Sequence, residues 1–230
     1  MSEPINPFSE IENLFKNNAM IKKVAKGRYL FQEGATAKEL YLVKSGKVQI
    51  GKVIPDGREL SLRICSTGDV IGELTLFCDE STYMLNAKVM EDSEVYILSK
   101  HLFEENLSNK PQLTVEWLKW VQLQSRKNQT KFRDLILHGK KGALYSTLIR
   151  LTNSYGKSVE EGILIDYPMT NQELANFCGT SREVVNRMLS DLRKEKIVSV
   201  EKNKIIVHHL DYLKKEIDCE NCPINVCTIK

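Results

Sequence analysis

From Gln112 to Leu137 the chain runs for about 26 residues without a glycine or a proline. At about 1.5 Å per residue such a run makes a helix near 39 Å long. Within it Leu118, Val121, Ser125, Asn128, Phe132 and Leu135 recur in a 4,3 alternation, the spacing of a coiled-coil seam. The ends of that seam are apolar and its middle is polar. A helix packed only on its own domain is the plainer alternative. The length and the missing caps favour a helix that pairs with a second copy of the chain, with a weak centre to the seam. His138-Gly139-Lys140-Lys141-Gly142 then breaks the helix and marks an interdomain hinge.

The residues before the helix have a different character. Between positions 20 and 100, Tyr29–Phe31, Glu39–Val43, Lys47–Ile54, Leu60–Ile64 and Val95–Leu98 are β-rich runs. Gly27, Gly34, Ser45-Gly46, Asp56-Gly57 and Gly68-Asp69 separate them at close spacing, the pattern of an all-β barrel or sandwich. Pro55-Asp56-Gly57 predicts a hairpin, because proline fixes φ and glycine supplies φ > 0.

Composition excludes some classes. An apolar share of 42% in 230 residues suits a globular chain of one or two domains. No apolar run approaches the roughly 18 residues of a membrane span, so no membrane partner is expected. Met1 to Asn18 carries Glu10 and Glu12 and lacks the basic start and apolar core of a signal peptide, which predicts a cytoplasmic protein. Thiols stay reduced there, so the six cysteines are not three disulfides. Cys65, Cys78 and Cys178 are scattered and read as small buried apolar residues. A net charge of +3 is a weak prompt toward nucleic acid, for which a local basic face matters more. No nucleophile–base constellation or phosphate loop points to an enzyme.

After the hinge, Leu144, Leu148 and Leu151 mark an amphipathic helix ending near Tyr155-Gly156, and residues 156 to 162 read as a polar loop. Thr170-Asn171-Gln172-Glu173 has capping-box spacing, and Leu174, Ala175, Phe177 and Cys178 supply a buried face. Gly179 ends that helix. Ser181 caps a second one, whose Val184, Val185, Met188, Leu189 and Leu192 form one apolar stripe. Helix, short glycine-containing turn, helix is a DNA-binding arrangement. Ile197–Val200 and Ile205–Val207 flank Glu201-Lys202-Asn203-Lys204 as a small hairpin, which makes it a winged helix-turn-helix. Arg182, Glu183 and Arg187, with Ser181 and Thr180 before them, are the candidate DNA contacts. Arginine can bond guanine O6 and N7 bidentately, and glutamate can accept from cytosine N4. A solvated charged face is the plainer alternative.

Cys219, Cys222 and Cys227 form a C-x2-C-x4-C array in the last dozen residues. Soft sulfur ligands at this spacing suit an iron–sulfur cluster or zinc, with His208 or His209 able to complete a zinc site. A thiol switch and inert thiols are the remaining readings.

Ser181-Arg182-Glu183-Val184-Val185-Asn186-Arg187 resembles the recognition helix of the CRP branch of the CRP/FNR family of transcription regulators, which reads TGTGA half-sites. Val70-Ile71-Gly72-Glu73-Leu74-Thr75-Leu76-Phe77 resembles that family's cyclic-nucleotide-type β-roll. The resemblance covers roughly residues 20 to 215. It implies an α+β architecture: an N-terminal helix and β-roll over 1–110, a dimerisation helix over 111–138, a winged helix-turn-helix over 139–215 and a cysteine-rich tail over 216–230. It implies a homodimeric regulator, an activator with RNA polymerase as a partner, that reads a TGTGA-type inverted repeat in double-stranded DNA. One departure bears on the ligand. Cyclic-nucleotide binders supply an arginine and a serine to the phosphate just after the Gly-Glu-Leu turn. Here that segment reads Ser81-Thr82-Tyr83-Met84-Leu85, and no arginine occurs between Arg63 and Arg126, so no cyclic nucleotide is expected. The tail is similar to that of Gram-positive FNR proteins, which carry a 4Fe–4S cluster at the C-terminus and sense oxygen in anaerobic metabolism. Three thiolates leave one iron open, for which Cys65, Cys78, Cys178, His138 and Asp134 are candidates; that similarity implies Cys219, Cys222 and Cys227 as ligands, with Asp134 as the fourth. Asp134 is expected off the dimer seam, on the helix surface and free to face the tail, with a solvated helix carboxylate as the plainer alternative. A regulator answering to a small molecule in the β-roll, with zinc or redox thiols in the tail, is the alternative.

Overall fold

The structure is a computed structural model and describes residues 8–79 and 81–230. The first seven residues, part of the N-terminal reading above, lie outside the described residues. The chain divides into two compact units. One holds the residues up to Val53, Leu62–Leu123 and Lys230; the other holds Ile54–Ser61 and Gln124–Ile229. The boundary therefore falls within the long helix, not at its start or at the hinge.

The first unit is a β-roll with helices against it. The helix α1 (Ser9–Asn18) precedes β1 (Met20–Val24), β2 (Tyr29–Phe31), β3 (Glu39–Val53), β4 (Glu59–Cys65), β5 (Val70–Ile71) and β6 (Asn86–Ser99). The sheet order is β1-β6-β3-β4, with β2 on β6 and β5 on β3. One apolar cluster fills the roll, around Val43, Val48, Ile50, Val89 and Val95. A second lies under the helices. There α1, α2 (Lys100–Asn109) and the start of α3 (Pro111–Tyr155) bring Phe15, Phe103, Trp117 and Trp120 together with Leu40 and Leu98.

Ser45-Gly46 is not a turn between two strands. Residues 39–53 form one strand, paired with β6 from Glu39 to Gly51, with register shifts around Ser45 and Lys47. Gly46 sits at φ +90, and a Cβ there would lie 2.1 Å from the Ser93 hydroxyl oxygen. The site is a bulge, in which the Lys47 amide donates to Ser93 Oγ at 3.1 Å. A turn signal and a bulge signal are the same residue in sequence; only the partner strand distinguishes them. The Pro55-Asp56-Gly57 hairpin is as expected. The Ile54 amide donates to the Arg58 carbonyl at 3.0 Å, and Gly57 has φ +84.

The helix α3 is 45 residues long and changes direction at Gly139, whose φ of 57 and ψ of −147 are not helical. The second unit continues from it with β7 (Gly156–Val159), β8 (Gly162–Ile165), α4 (Asn171–Phe177), α5 (Arg182–Lys194), β9 (Val198–Glu201), β10 (Lys204–Val207) and α6 (Leu210–Lys215). The four strands form one antiparallel sheet, β7-β8-β10-β9. The reading of 156–162 as a loop is therefore corrected: it holds β7 and the turn into β8. Every residue of β7 is exposed, so this edge strand carries no period-2 apolar signal. Among the described residues no helix is long and apolar enough to cross a membrane.

Gly46→Ala should lower stability by about 1–3 kcal/mol, because it combines a positive φ with a side chain driven into Ser93. Urea unfolding followed by tryptophan fluorescence measures this; an unchanged midpoint would mean that the bulge relaxes freely.

Candidate functional site

The helix-turn-helix is built by local chemistry. The Thr170 hydroxyl accepts from the Glu173 amide at 3.2 Å, and the Glu173 carboxylate accepts from the Thr170 amide at 2.7 Å, which closes the capping box. The helix α4 ends at Cys178, and Gly179 takes φ +57, the left-handed turn that releases the chain from the helix. The Thr180 amide donates back to the Ala175 carbonyl at 3.1 Å. Ser181 caps α5, accepting from the Val184 amide. Val185, Leu189 and Leu192 are buried, while Ser181, Arg182, Glu183, Asn186 and Arg187 are exposed. The candidate DNA contacts thus lie on the outer face of the first turns of α5, where a recognition helix presents base-reading side chains. Thr180 differs from them: its hydroxyl oxygen is buried with no hydrogen-bond partner among the described residues. The α5 N-terminus, through the Glu183 amide and the Ser181 side chain, holds the Glu183 carboxyl below its usual range. It is a pure acceptor at neutral pH, the form that can accept a hydrogen bond from the cytosine N4 amino group. Lys202 and Asn203, both at positive φ, make a two-residue turn between β9 and β10.

The tail is laid on the second segment of α3. The Arg150 guanidinium donates to the Val226 carbonyl at 3.3 Å, and the Asn153 amide group donates to the Cys227 carbonyl at 2.7 Å. The Ile229 amide donates to Ser154 Oγ at 3.0 Å. Val226 and Ile229 are buried. From the first segment of α3, Arg133 pairs with Glu220, between Cys219 and Cys222.

Asp134 lies at this junction, but not as a surface carboxylate. It is 4% exposed. Its Oδ2 accepts from Ser146 Oγ at 2.6 Å and from Arg150 Nη2 at 3.1 Å; its Oδ1 accepts from Arg133 Nη2 at 2.8 Å. The surface position expected for it is corrected. The heptad argument located it off the seam, and that side of the helix is covered by the second segment and the tail. Burial pushes the Cys227 thiol up; Arg150 draws it down, and Cys219, Cys222 and Asp134 raise it again. The three thiols and Asp134 therefore share one electrostatic neighbourhood. Three thiols and a carboxylate are a donor set suited to a sulfur-preferring centre. Among the described residues no group of three or more His, Cys, Asp or Glu side chains is placed to hold a metal ion.

The remaining candidates separate. Cys178 is buried, which pushes its thiol up to about 12, with Thr147 opposing, and Cys65 is buried as well. Cys78 is exposed, contrary to the reading of all three as packing residues; it lies in the loop after β5, which sequence does not distinguish from core. His208 spends its ring nitrogens on the Glu161 carbonyl, 2.6 Å, and Ser199 Oγ, 3.0 Å, so it serves the winged sheet.

In the roll, Phe31 and Tyr83 stack with centroids 3.7 Å apart, and the Tyr83 hydroxyl donates to the Glu39 carbonyl at 2.7 Å. Glu73 is bound by Arg63 at 2.7 Å, largely out of solvent. Gly72, at φ +98, starts the short turn that carries Glu73.

Two family matches cover most of the chain: the cyclic nucleotide-binding domain over residues 21–110 and the Crp-like helix-turn-helix domain over residues 142–216. The chain is 53% identical over 222 residues to the anaerobic regulatory protein of Bacillus subtilis, covering 96% of this chain and 93% of that one. The chain belongs to the Crp/FNR family of transcription regulators. A lactate racemization regulatory protein of Lactiplantibacillus plantarum is 31% identical, covering 82% of this chain and 87% of its own. A cyclic-di-GMP-responsive global regulator of Xanthomonas campestris has the same fold, with a TM-score of 0.77 at 21% identity, covering 87% of this chain and 99% of that one. The Crp/FNR relatives are regulators and not enzymes, and the element at Thr170–Lys194 is the family's DNA-binding helix-turn-helix.

Sequence reasoning missed Arg150, Ser146, Thr130 and Asn153. A signal was present. Arg150 is the one charged residue in the sequence from 143 to 152, and the structure buries that whole run. A buried arginine requires a carboxylate.

Asp134→Ala should cost about 3 kcal/mol of stability, the lower end for breaking a buried ion pair, because Arg150 keeps Thr130, Ser146 and the Val226 carbonyl as acceptors. Chemical denaturation of the metal-free protein checks this. A change of about 0.5 kcal/mol, the figure for an ordinary surface site, would mean that the pair is not formed in solution.

Proposed function

We propose that this regulator is an oxygen-responsive, homodimeric activator that senses through a 4Fe–4S cluster on Cys219, Cys222, Cys227 and Asp134. We further propose that it reads a TGTGA-type inverted repeat and acts with RNA polymerase. The observation that carries the reading is the docking of the three-cysteine tail on α3 beside Asp134. The similarity to a protein named for anaerobic regulation supports it. A 4Fe–4S cluster bound there supplies an oxygen-labile centre. The chain's own part is to hold the tail beside α3 and to bring a carboxylate to three thiols.

Exposure of Leu118, Val121, Phe132 and Leu135 on α3 supports the dimer, since apolar residues at a 4,3 spacing on one helix suit a second copy. In the roll, Tyr83 stacks on Phe31, Arg63 holds Glu73, and the segment Ser81–Leu85 brings no arginine for a phosphate, so the roll is read as a scaffold. This favours the tail as sensor over a small molecule in the roll. The engagement of His208 in the wing argues against it as a zinc ligand.

Protein purified without oxygen should be brown, carry about four iron and four sulfide per chain, and lose its visible absorption in air. Cys227→Ala should lose that absorption and the oxygen response of transcription. A tail mutant with full cluster content and full response would overturn the reading.

Glu183→Ala should relax discrimination at one base pair of the half-site by about 1–3 kcal/mol while leaving the other positions unchanged. Selection from random DNA measures this, and recovery of an unrelated motif by the wild type would refute the assignment.

A further inference from the structure

Arg150 is 2% exposed and reaches three parts of the chain at once. Nη2 donates to Thr130 Oγ1 at 3.0 Å and to Asp134 Oδ2 at 3.1 Å, both before Gly139. Nε donates to Ser146 Oγ at 3.0 Å, after Gly139. Nη1 donates to the Val226 carbonyl at 3.3 Å, next to Cys227. The Ser146 hydroxyl in turn donates to Asp134, so carboxylate, hydroxyl and guanidinium form a closed ring of hydrogen bonds. The backbone between the two helical segments passes through Gly139 in a conformation open to glycine but not to other residues.

We propose that Arg150 is the positioning residue that clamps the two segments of α3 across Gly139 and fastens the cysteine tail to both, with or without a metal centre. A lysine could not replace it. Its single ammonium cannot reach Thr130, Asp134, Ser146 and a main-chain carbonyl together, whereas the planar fork of arginine presents donors in several fixed directions. Asn153 and Ser154, on the following turn, extend the same contact to Cys227 and Ile229. The proposal goes beyond the cluster reading, because the clamp is complete without any ligand.

The test uses the full-length, reduced, metal-free protein, so its outcome is separate from that of the cluster. N-ethylmaleimide labelling is followed by peptide mass spectrometry at Cys227, with buried Cys178 as the monitor of global folding. Hydrogen exchange is followed at the tail peptide containing Ile229. Arg150→Met should speed Cys227 labelling and tail exchange at least tenfold and leave Cys178 protected. Arg150→Lys, which keeps the charge beside Asp134, should speed both about threefold or more. Asn153→Ala should loosen the tail without altering exchange in 130–146. If Arg150→Met exposes Cys178, the variant has lost its fold and Arg150→Lys decides. Wild-type labelling and exchange in a folded Arg150→Lys or Arg150→Met protein would overturn the proposal.

Discussion

The buried contact between Arg150 and Asp134 constrains the second unit more than any other. Taking two charges out of water is costly, and the attraction between them offsets that cost only when hydrogen bonds satisfy their remaining atoms. Here Ser146, Thr130 and the Val226 carbonyl do so. The pair thereby dictates where three pieces of backbone must lie. Two glycines make the approach possible for different reasons. Gly139 supplies a backbone turn, with open space where a side chain would be. A Cβ at Gly142 would lie 2.7 Å from the Asp134 carbonyl oxygen and 2.2 Å from the His138 Cβ, so that glycine supplies clearance.

Much of the frame was legible in the sequence because its signals are local. The capping box at Thr170, the left-handed Gly179, the cap at Ser181 and the apolar stripe of α5 depend on residues within a few positions of one another, and all are found as read. Gly46 was misassigned because a positive φ is shared by turns and bulges, and Ser93, which decides between them, is 47 residues away. The edge strand β7 was missed because it faces solvent throughout. The depth of Asp134 was misread. Helical periodicity tells which side of α3 it occupies, but its cover comes from residues beyond the hinge and from the last residues of the chain.

Cysteines divide along the same line. Burial holds Cys178 as a neutral thiol well above neutral pH, so packing is its role. In the tail, Arg150 and Arg133 lie close enough to act on the thiols electrostatically. Spacing groups the three in the sequence; in the fold, burial outweighs Arg150 at Cys227 and pushes its thiol up.

The second segment of α3 carries both the tail and the DNA-reading element. Arg150, Asn153 and Ser154 hold the tail, while Thr147, one turn earlier, meets Cys178 at the end of α4, 3.8 Å between sulfur and oxygen. The helix α4 packs on α5, whose first turns bear Arg182, Glu183 and Arg187. The segment that holds the tail and the reading helix are thus two packed contacts apart within one unit. Any coupling between them is reciprocal: whatever tail docking does to DNA affinity, bound DNA does to tail docking by the same factor. The tail and the DNA-reading element thus both rest on this one segment of α3.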